Sequence, residues 1–87
     1  MKEKTVKVSN KLGIHARPAA LLVQTASKYH SSLKIYKDDY EVDAKSIMGV
    51  MTLAAAQGSE LKFVADGPDE AEALDDVEKL FNCGFNE

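Results

Sequence analysis

The chain has 87 residues, of which 45% are hydrophobic and 29% are charged, and its formal net charge is -3 at pH 7. This composition is too apolar for a disordered chain, and the acidic balance argues against direct binding to nucleic acid, which usually needs a basic surface. So short a chain predicts a single domain over residues 1–87, with its chemistry at the surface and not in a deep cleft.

The cysteine content and the lack of long apolar runs predict the cellular compartment of the protein. The chain has one cysteine, Cys83, so no intramolecular disulfide can form, which fits a reducing environment. No apolar run is long enough for a signal peptide or a membrane span. We therefore expect a cytoplasmic protein that does not insert into a membrane.

The N-terminal third changes from the period of a strand to that of a helix. Residues 5–9 alternate, which predicts a short strand with one wet face. Residues 10–13 are turn formers, and Pro18 suits the first turn of the helix that follows, because a proline there costs no helical hydrogen bond. This helix should end within residues 28–32. Its apolar positions share one face and are Ala16, Ala19, Ala20, Val23 and Ala26.

The middle of the chain predicts a hairpin followed by a second helix. Residues 33–36 and 40–43 alternate around a turn at residues 38–39. Ser46 then has the side chain of an N-cap, and a helix should run from residue 47 to about residue 56.

The C-terminal third predicts a fourth strand and a third helix. Residues 61–65 alternate, and residues 66–70 combine an early proline with acidic residues, a strong signal for a helix start. The last helix should end at Gly84. Its expected buried face comprises Ala71, Leu74, Val77, Leu80 and Phe81. The order β-α-β-β-α-β-α, with strands wet on one face, predicts an α+β two-layer sandwich with all helices on the other face.

One histidine stands where chemistry is favoured. His15 lies where a glycine-containing loop enters the first helix, and free N–H groups and the positive dipole end make such a place an anion site. Arg17 adds a guanidinium within one turn, and a neutral imidazole is a competent nucleophile. These residues alone indicate anion binding with a nucleophile present; an ordinary surface histidine at a helix start remains the alternative.

Two motifs carry a resemblance to a known family. Residues 13–20, GIHARPAA, resemble the active-site signature of the HPr family, the histidine-containing phosphocarriers of the bacterial phosphoenolpyruvate-dependent sugar phosphotransferase system. Residues 43–51, DAKSIMGVM, resemble that family's regulatory-site signature. The likeness spans nearly the whole chain. It implies an open-faced sandwich whose antiparallel sheet has strand order 1-4-2-3, with His15 phosphorylated on Nδ1 and Arg17 as its charge partner.

The resemblance also implies partners. His15 would accept phosphate from phospho-enzyme I and pass it to sugar-specific IIA domains. Ser46 would be the target of an HPr kinase/phosphorylase, and its phosphorylated form would bind a catabolite-control transcription factor. The expected docking residues are Ala16, Ala20, Ile47, Met48 and Met51. For the last three, the residues alone leave core packing as the alternative.

Two other functions are alternatives to the phosphocarrier. A regulatory module of the same fold, acting mainly by protein binding, is the alternative function; a related regulatory protein has glutamine in place of the active-site histidine, and His15 argues against that assignment. The other alternative is a histidine phosphatase. It would need an acid and a substrate pocket near His15, and the sequence gives evidence of neither. No nucleotide or metal motif is visible, so we expect no cofactor. The resemblance implies a phosphoryl carrier rather than a stand-alone enzyme, and we expect it to be a monomer. His30 should be a surface residue, and Cys83 partly buried and chemically quiet.

Overall fold

A computed structural model describes residues 1–86, and this part of the chain contains four strands and three α-helices in the predicted order. The elements are β1 (Lys2–Lys7), α1 (Ala16–Ser27), β2 (Ser32–Lys37), β3 (Tyr40–Asp43), α2 (Ile47–Thr52), β4 (Glu60–Asp66) and α3 (Glu70–Asn82), followed by a 3₁₀ turn at Gly84–Asn86. No described helix has both the length and the apolar character needed to cross a membrane.

The strands form one antiparallel sheet in the order β1-β4-β2-β3. Along β4, Leu61, Phe63 and Ala65 are fully buried, whereas Lys62 between them is exposed. This alternation places one face of the sheet against the helices and leaves the other open to solvent. The predicted α+β open-faced sandwich and its strand order are therefore confirmed.

Aromatic rings hold the end of the chain against the sheet. Phe81 of α3 meets Phe63 of β4 edge to face, with ring centroids 5.6 Å apart. Phe85 then packs on Phe81 at 4.8 Å, again edge to face. Because all three rings are at most 2% exposed, this stack extends the core through α3 into the 3₁₀ turn.

Three predicted boundaries are wrong. β1 runs from Lys2 to Lys7, so it begins before the predicted start at Thr5 and ends before the predicted end at Ser9. Helix α2 ends at Thr52 instead of near residue 56, because Ala54 has a φ of 49°, which a right-handed helix cannot contain. The chain turns there, which brings Ala55 against the loop that precedes α1.

Two predictions about exposure are also corrected. The buried face of α1 is rotated from the predicted one, because Ala16 is exposed while Leu22 and Thr25 are buried. Cys83 was expected to be partly buried, but it follows the last turn of α3 and is exposed. His30 is exposed, as predicted.

A carboxylate at the start of α3 ties two loops together. Asp69 accepts hydrogen bonds from the Ser31 hydroxyl at 2.5 Å, the Ser31 N–H at 2.9 Å and the His30 N–H at 3.0 Å. These donors, the Ser31 hydroxyl foremost, lower the pKa of Asp69 to about 2. Ser31 is itself fully buried, so the contact joins the end of the α1–β2 loop to the start of α3.

The lowered pKa predicts a pH dependence of stability. Asp69 should stabilise the fold fully above its unfolded pKa of about 4, and this contribution should be lost as the pH falls through about 2. Asp69→Asn should lower Tm at pH 7, and the difference from the parent protein should shrink between pH 4 and pH 2. Thermal unfolding followed by circular dichroism measures both. Asp39→Asn, at an exposed carboxylate in the hairpin turn, is the control and should leave the acid limb unchanged; an equal effect of the two variants would contradict the assignment.

Candidate functional site

The loop that leads to His15 closes with a tight turn. The Gly13 N–H donates to the Asn10 carbonyl oxygen at 3.1 Å, and Gly13 has a φ of +70°. A Cβ at this position would overlap the carbonyl oxygen of Ala55. Glycine is therefore needed both for its conformation and for the close approach of the two backbones.

Ile14 anchors the loop to the segment after α2. Its side chain is only 6% exposed, and its N–H donates to the Ala55 carbonyl oxygen at 2.8 Å. The next N–H, that of His15, donates back to the Gly13 carbonyl oxygen at 3.2 Å. The backbone on the N-terminal side of His15 is thus held by contacts on two consecutive residues.

His15 is the N-cap residue of α1. Its backbone is extended, with φ -97° and ψ -167°, and its carbonyl oxygen accepts the Ala19 N–H at 2.9 Å. The imidazole makes no capping hydrogen bond to its own helix. An α-helix leaves its first N–H groups without helical acceptors, and here these belong to Ala16 and Arg17, because Pro18 has none.

The field at this helix start favours a negative group. The first turn of α1 contains no acidic residue, whereas the first turn of α3 contains Glu70 and Glu72, which already offset its dipole. Arg17 is exposed in the same first turn, two residues after the half-buried His15. The arrangement can therefore receive a dianion on or next to the imidazole and distribute its charge over N–H donors.

Ser46 caps α2, as predicted. Its hydroxyl oxygen accepts the Gly49 N–H at 3.2 Å, and its carbonyl oxygen accepts the Val50 N–H at 2.9 Å. The side chain is half-buried at the exposed end of a helix of six residues. A hydroxyl in this position is within reach of solvent.

The face of α2 that carries the apolar motif points outward. Val50 is the buried residue of this helix, whereas Ile47, Met48 and Met51 are 42%, 73% and 44% exposed. Core packing, the alternative left open for these three residues, is therefore wrong. Of the other two expected docking residues, Ala16 is exposed and Ala20 half-buried, on the helix that packs against α2.

Two further residues lie beside the site. Asn10 is buried and its side-chain amide donates to the Gly13 carbonyl oxygen at 2.5 Å, while Leu12 is 79% exposed at the surface of the same loop. Sequence reasoning treated both as part of a turn. The spacing of three residues between Asn10 and Gly13 is a signal for a hydrogen bond between them. Nothing in the sequence shows, however, that the side chain of an asparagine in a turn points inward.

The described residues contain no group of three or more His, Cys, Asp or Glu side chains that could hold a metal ion.

Comparison with known proteins places the chain in a family. Residues 2–82 match the family model described as "PTS HPr component phosphorylation site". The phosphocarrier protein HPr of Treponema pallidum is 55% identical over 84 residues, which cover 97% of this chain and 96% of that protein. The crystal structure of an HPr from Thermoanaerobacter tengcongensis superimposes with a TM-score of 0.96 at 50% identity, covering 100% of this chain and 98% of that one.

The fold and the matches define the class of protein: it is a phosphocarrier of the phosphotransferase system. The chain belongs to the HPr family. A further relative, the HPr-like protein Crh of Halalkalibacterium halodurans, is 49% identical over 75 residues, covering 86% of this chain and 89% of that protein.

Proposed function

We propose that this protein carries a phosphoryl group on Nδ1 of His15, accepting it from phospho-enzyme I and donating it to sugar-specific IIA domains. The observation that carries the proposal is the position of His15: it is the N-cap of a helix whose first turn has no acidic residue and includes Arg17. The assignment to Nδ1 and the identity of both partners come from family membership.

The chemistry needs little from the carrier itself. A ring nitrogen of His15 attacks phosphorus, a new N–P bond forms, and the bond from phosphorus to the donor breaks with its electron pair staying on the donor. The carrier then supplies N–H donors and a guanidinium to the three phosphoryl oxygens. Since phosphoryl transfer depends mainly on position and charge stabilisation, an exposed site suffices once a partner covers it.

Docking is proposed for the apolar surface beside His15, which we call the α1–α2 patch: Ala16, Ala20, Ile47, Met48 and Met51. Flexible methionine side chains adapt to differently shaped partners. A carrier must bind a donor and several acceptors through one surface, and the exposure of Met48, at 73%, supports this role.

Regulation is proposed at Ser46. A phosphate at an N-cap meets the positive end of the helix, so it would leave α2 intact and change the surface that partners meet. An HPr kinase/phosphorylase would add this phosphate from ATP, and the product would favour a catabolite-control transcription factor. The phosphate would lie directly beside Ile47 and Met48 of the α1–α2 patch.

The likeness to the HPr-like protein Crh favours one alternative function. In that alternative the chain is a regulatory module that acts mainly by binding other proteins. Transfer of phosphate from His15 to a sugar-specific IIA domain supports the carrier, whereas phosphate that stays on this chain supports the module.

Incubation with enzyme I, phosphoenolpyruvate and Mg²⁺, which serves enzyme I, should add one acid-labile phosphoryl group, seen by intact mass. His15→Ala should remove the label completely. His30→Ala is the matched control, because His30 is the other histidine of the chain and is exposed beyond the far end of α1. Label retained by His15→Ala would defeat the proposal.

Arg17→Gln should slow phosphorylation of His15 by about 10- to 100-fold, because one donor to the developing charge is lost while the N–H groups at the helix start remain. Arg17→Lys should be intermediate, because it keeps the charge but loses the planar fork. Rapid-quench assays of phosphoryl transfer from phospho-enzyme I measure these rates. Lys28→Gln removes an exposed cation at the opposite end of α1 and should have no effect; if it slowed transfer as much as Arg17→Gln, the role of Arg17 would be one of net charge only.

Ser46→Asp should slow transfer to His15 by about tenfold or more, because the carboxylate places an unpaired charge at the edge of the α1–α2 patch. In Ser46→Asn the new side chain is nearly the same size as that in Ser46→Asp and can also cap a helix, but it is neutral. This variant should therefore accept phosphate at the normal rate. Rates with phospho-enzyme I test both variants. Equal rates for the two would show that a charge at this position does not reach the docking surface.

A further inference from the structure

We propose that Asn10 is a positioning residue for His15: its side-chain amide holds the peptide from which the imidazole is presented. This inference rests on the proposed role of His15 as the phosphorylated residue. It adds a residue outside both signature motifs, five positions before the histidine and on the other side of the turn.

Asn10 closes the turn with its backbone and with its side chain. Its backbone carbonyl oxygen accepts the Gly13 N–H at 3.1 Å, and its side-chain Nδ2 donates to the Gly13 carbonyl oxygen at 2.5 Å. The residue is 8% exposed, so water has little access to these groups. Buried hydrogen bonds of this kind hold a loop in one conformation more firmly than exposed ones.

The Gly13 carbonyl oxygen is the link to the histidine. It accepts the Asn10 amide and also the His15 N–H, the latter at 3.2 Å across the single residue Ile14. The Ile14 N–H is held separately by the Ala55 carbonyl oxygen at 2.8 Å. The plane of the Gly13–Ile14 peptide is therefore set by Asn10 on one side and by Ala55 on the other.

Loss of the Asn10 amide removes one of these two supports. The Gly13 carbonyl would keep the weaker contact from His15, and the peptide plane could rotate about the Ile14 anchor. Because the His15 N–H bonds to that carbonyl, rotation would change the direction in which the imidazole leaves the backbone. Displacement of a reacting group by about 1 Å can cost on the order of a hundredfold in rate.

The test compares Asn10→Asp and Asn10→Ala with Ser9→Ala. Asn10→Asp keeps the shape but cannot donate when ionised, and Asn10→Ala removes the amide. Ser9→Ala is the matched control: it deletes the hydrogen bond from the Ser9 hydroxyl to the Phe81 carbonyl oxygen, 3.0 Å long, which holds the same segment from the side of α3. Unfolding curves establish a temperature at which every variant is folded.

At that temperature, transfer from phospho-enzyme I should show kcat reduced about 10- to 100-fold in both Asn10 variants, with KM nearly unchanged because the α1–α2 patch is intact. The NMR signals of the His15 ring should also shift in the free protein. Ser9→Ala should lower stability but change neither the rate nor the ring signals.

The outcomes separate the two proposals. Parent protein that takes no phosphate on His15 would end the proposed function, and this inference with it. Parent protein that is phosphorylated normally, together with Asn10 variants whose kcat and ring signals match those of Ser9→Ala, would overturn the positioning role alone.

Discussion

The site depends on one backbone hydrogen bond between segments far apart in sequence: the Ile14 N–H donates to the Ala55 carbonyl oxygen at 2.8 Å. This bond joins the loop before α1 to the segment after α2. It thereby links Ile14, the residue before His15, to the segment that follows the helix capped by Ser46. Gly13 has no Cβ because the same carbonyl lies against it. The role proposed for His15 requires a rigid scaffold that fixes the loop before α1, and this hydrogen bond fixes it.

Charge is distributed differently at the three helix starts, and the difference follows their roles. Two acidic residues occupy the first turn of α3, and Asp69 before them accepts hydrogen bonds from the α1–β2 loop. The charges at the start of α3 therefore stabilise the fold. Ser46 satisfies an amide of α2 with its own hydroxyl. At α1 no acidic residue occupies the first turn and the imidazole does not cap it. In the proposed function, a phosphoryl group on His15 would supply the negative charge that the positive end of this helix dipole lacks.

Periodicity and helix-start signals were enough to predict the elements and the two layers, because alternation in β4 and the Ser46 cap are local features. Strand order came from the family resemblance, since pattern alone does not say which strands pair. Local propensity failed at residues 54–56, where a run of alanines favours a helix but Ala54 adopts a φ of 49° and Ala55 is buried against Ile14. The inward amide of Asn10 was beyond sequence reasoning for the same reason: tertiary contacts decide where it points.

The role of the α1 start is tested most directly by NMR of the phosphorylated protein, with phosphorus-31 and backbone amide spectra recorded before and after transfer from enzyme I. A phosphoryl group on Nδ1 of His15 predicts a phosphorus signal coupled to that nitrogen, and large shifts confined mainly to the amides of Ala16 and Arg17, which lie at the start of α1. Phosphorus bound elsewhere, or a phosphorylated His15 that leaves both of those amide signals unmoved, would contradict it.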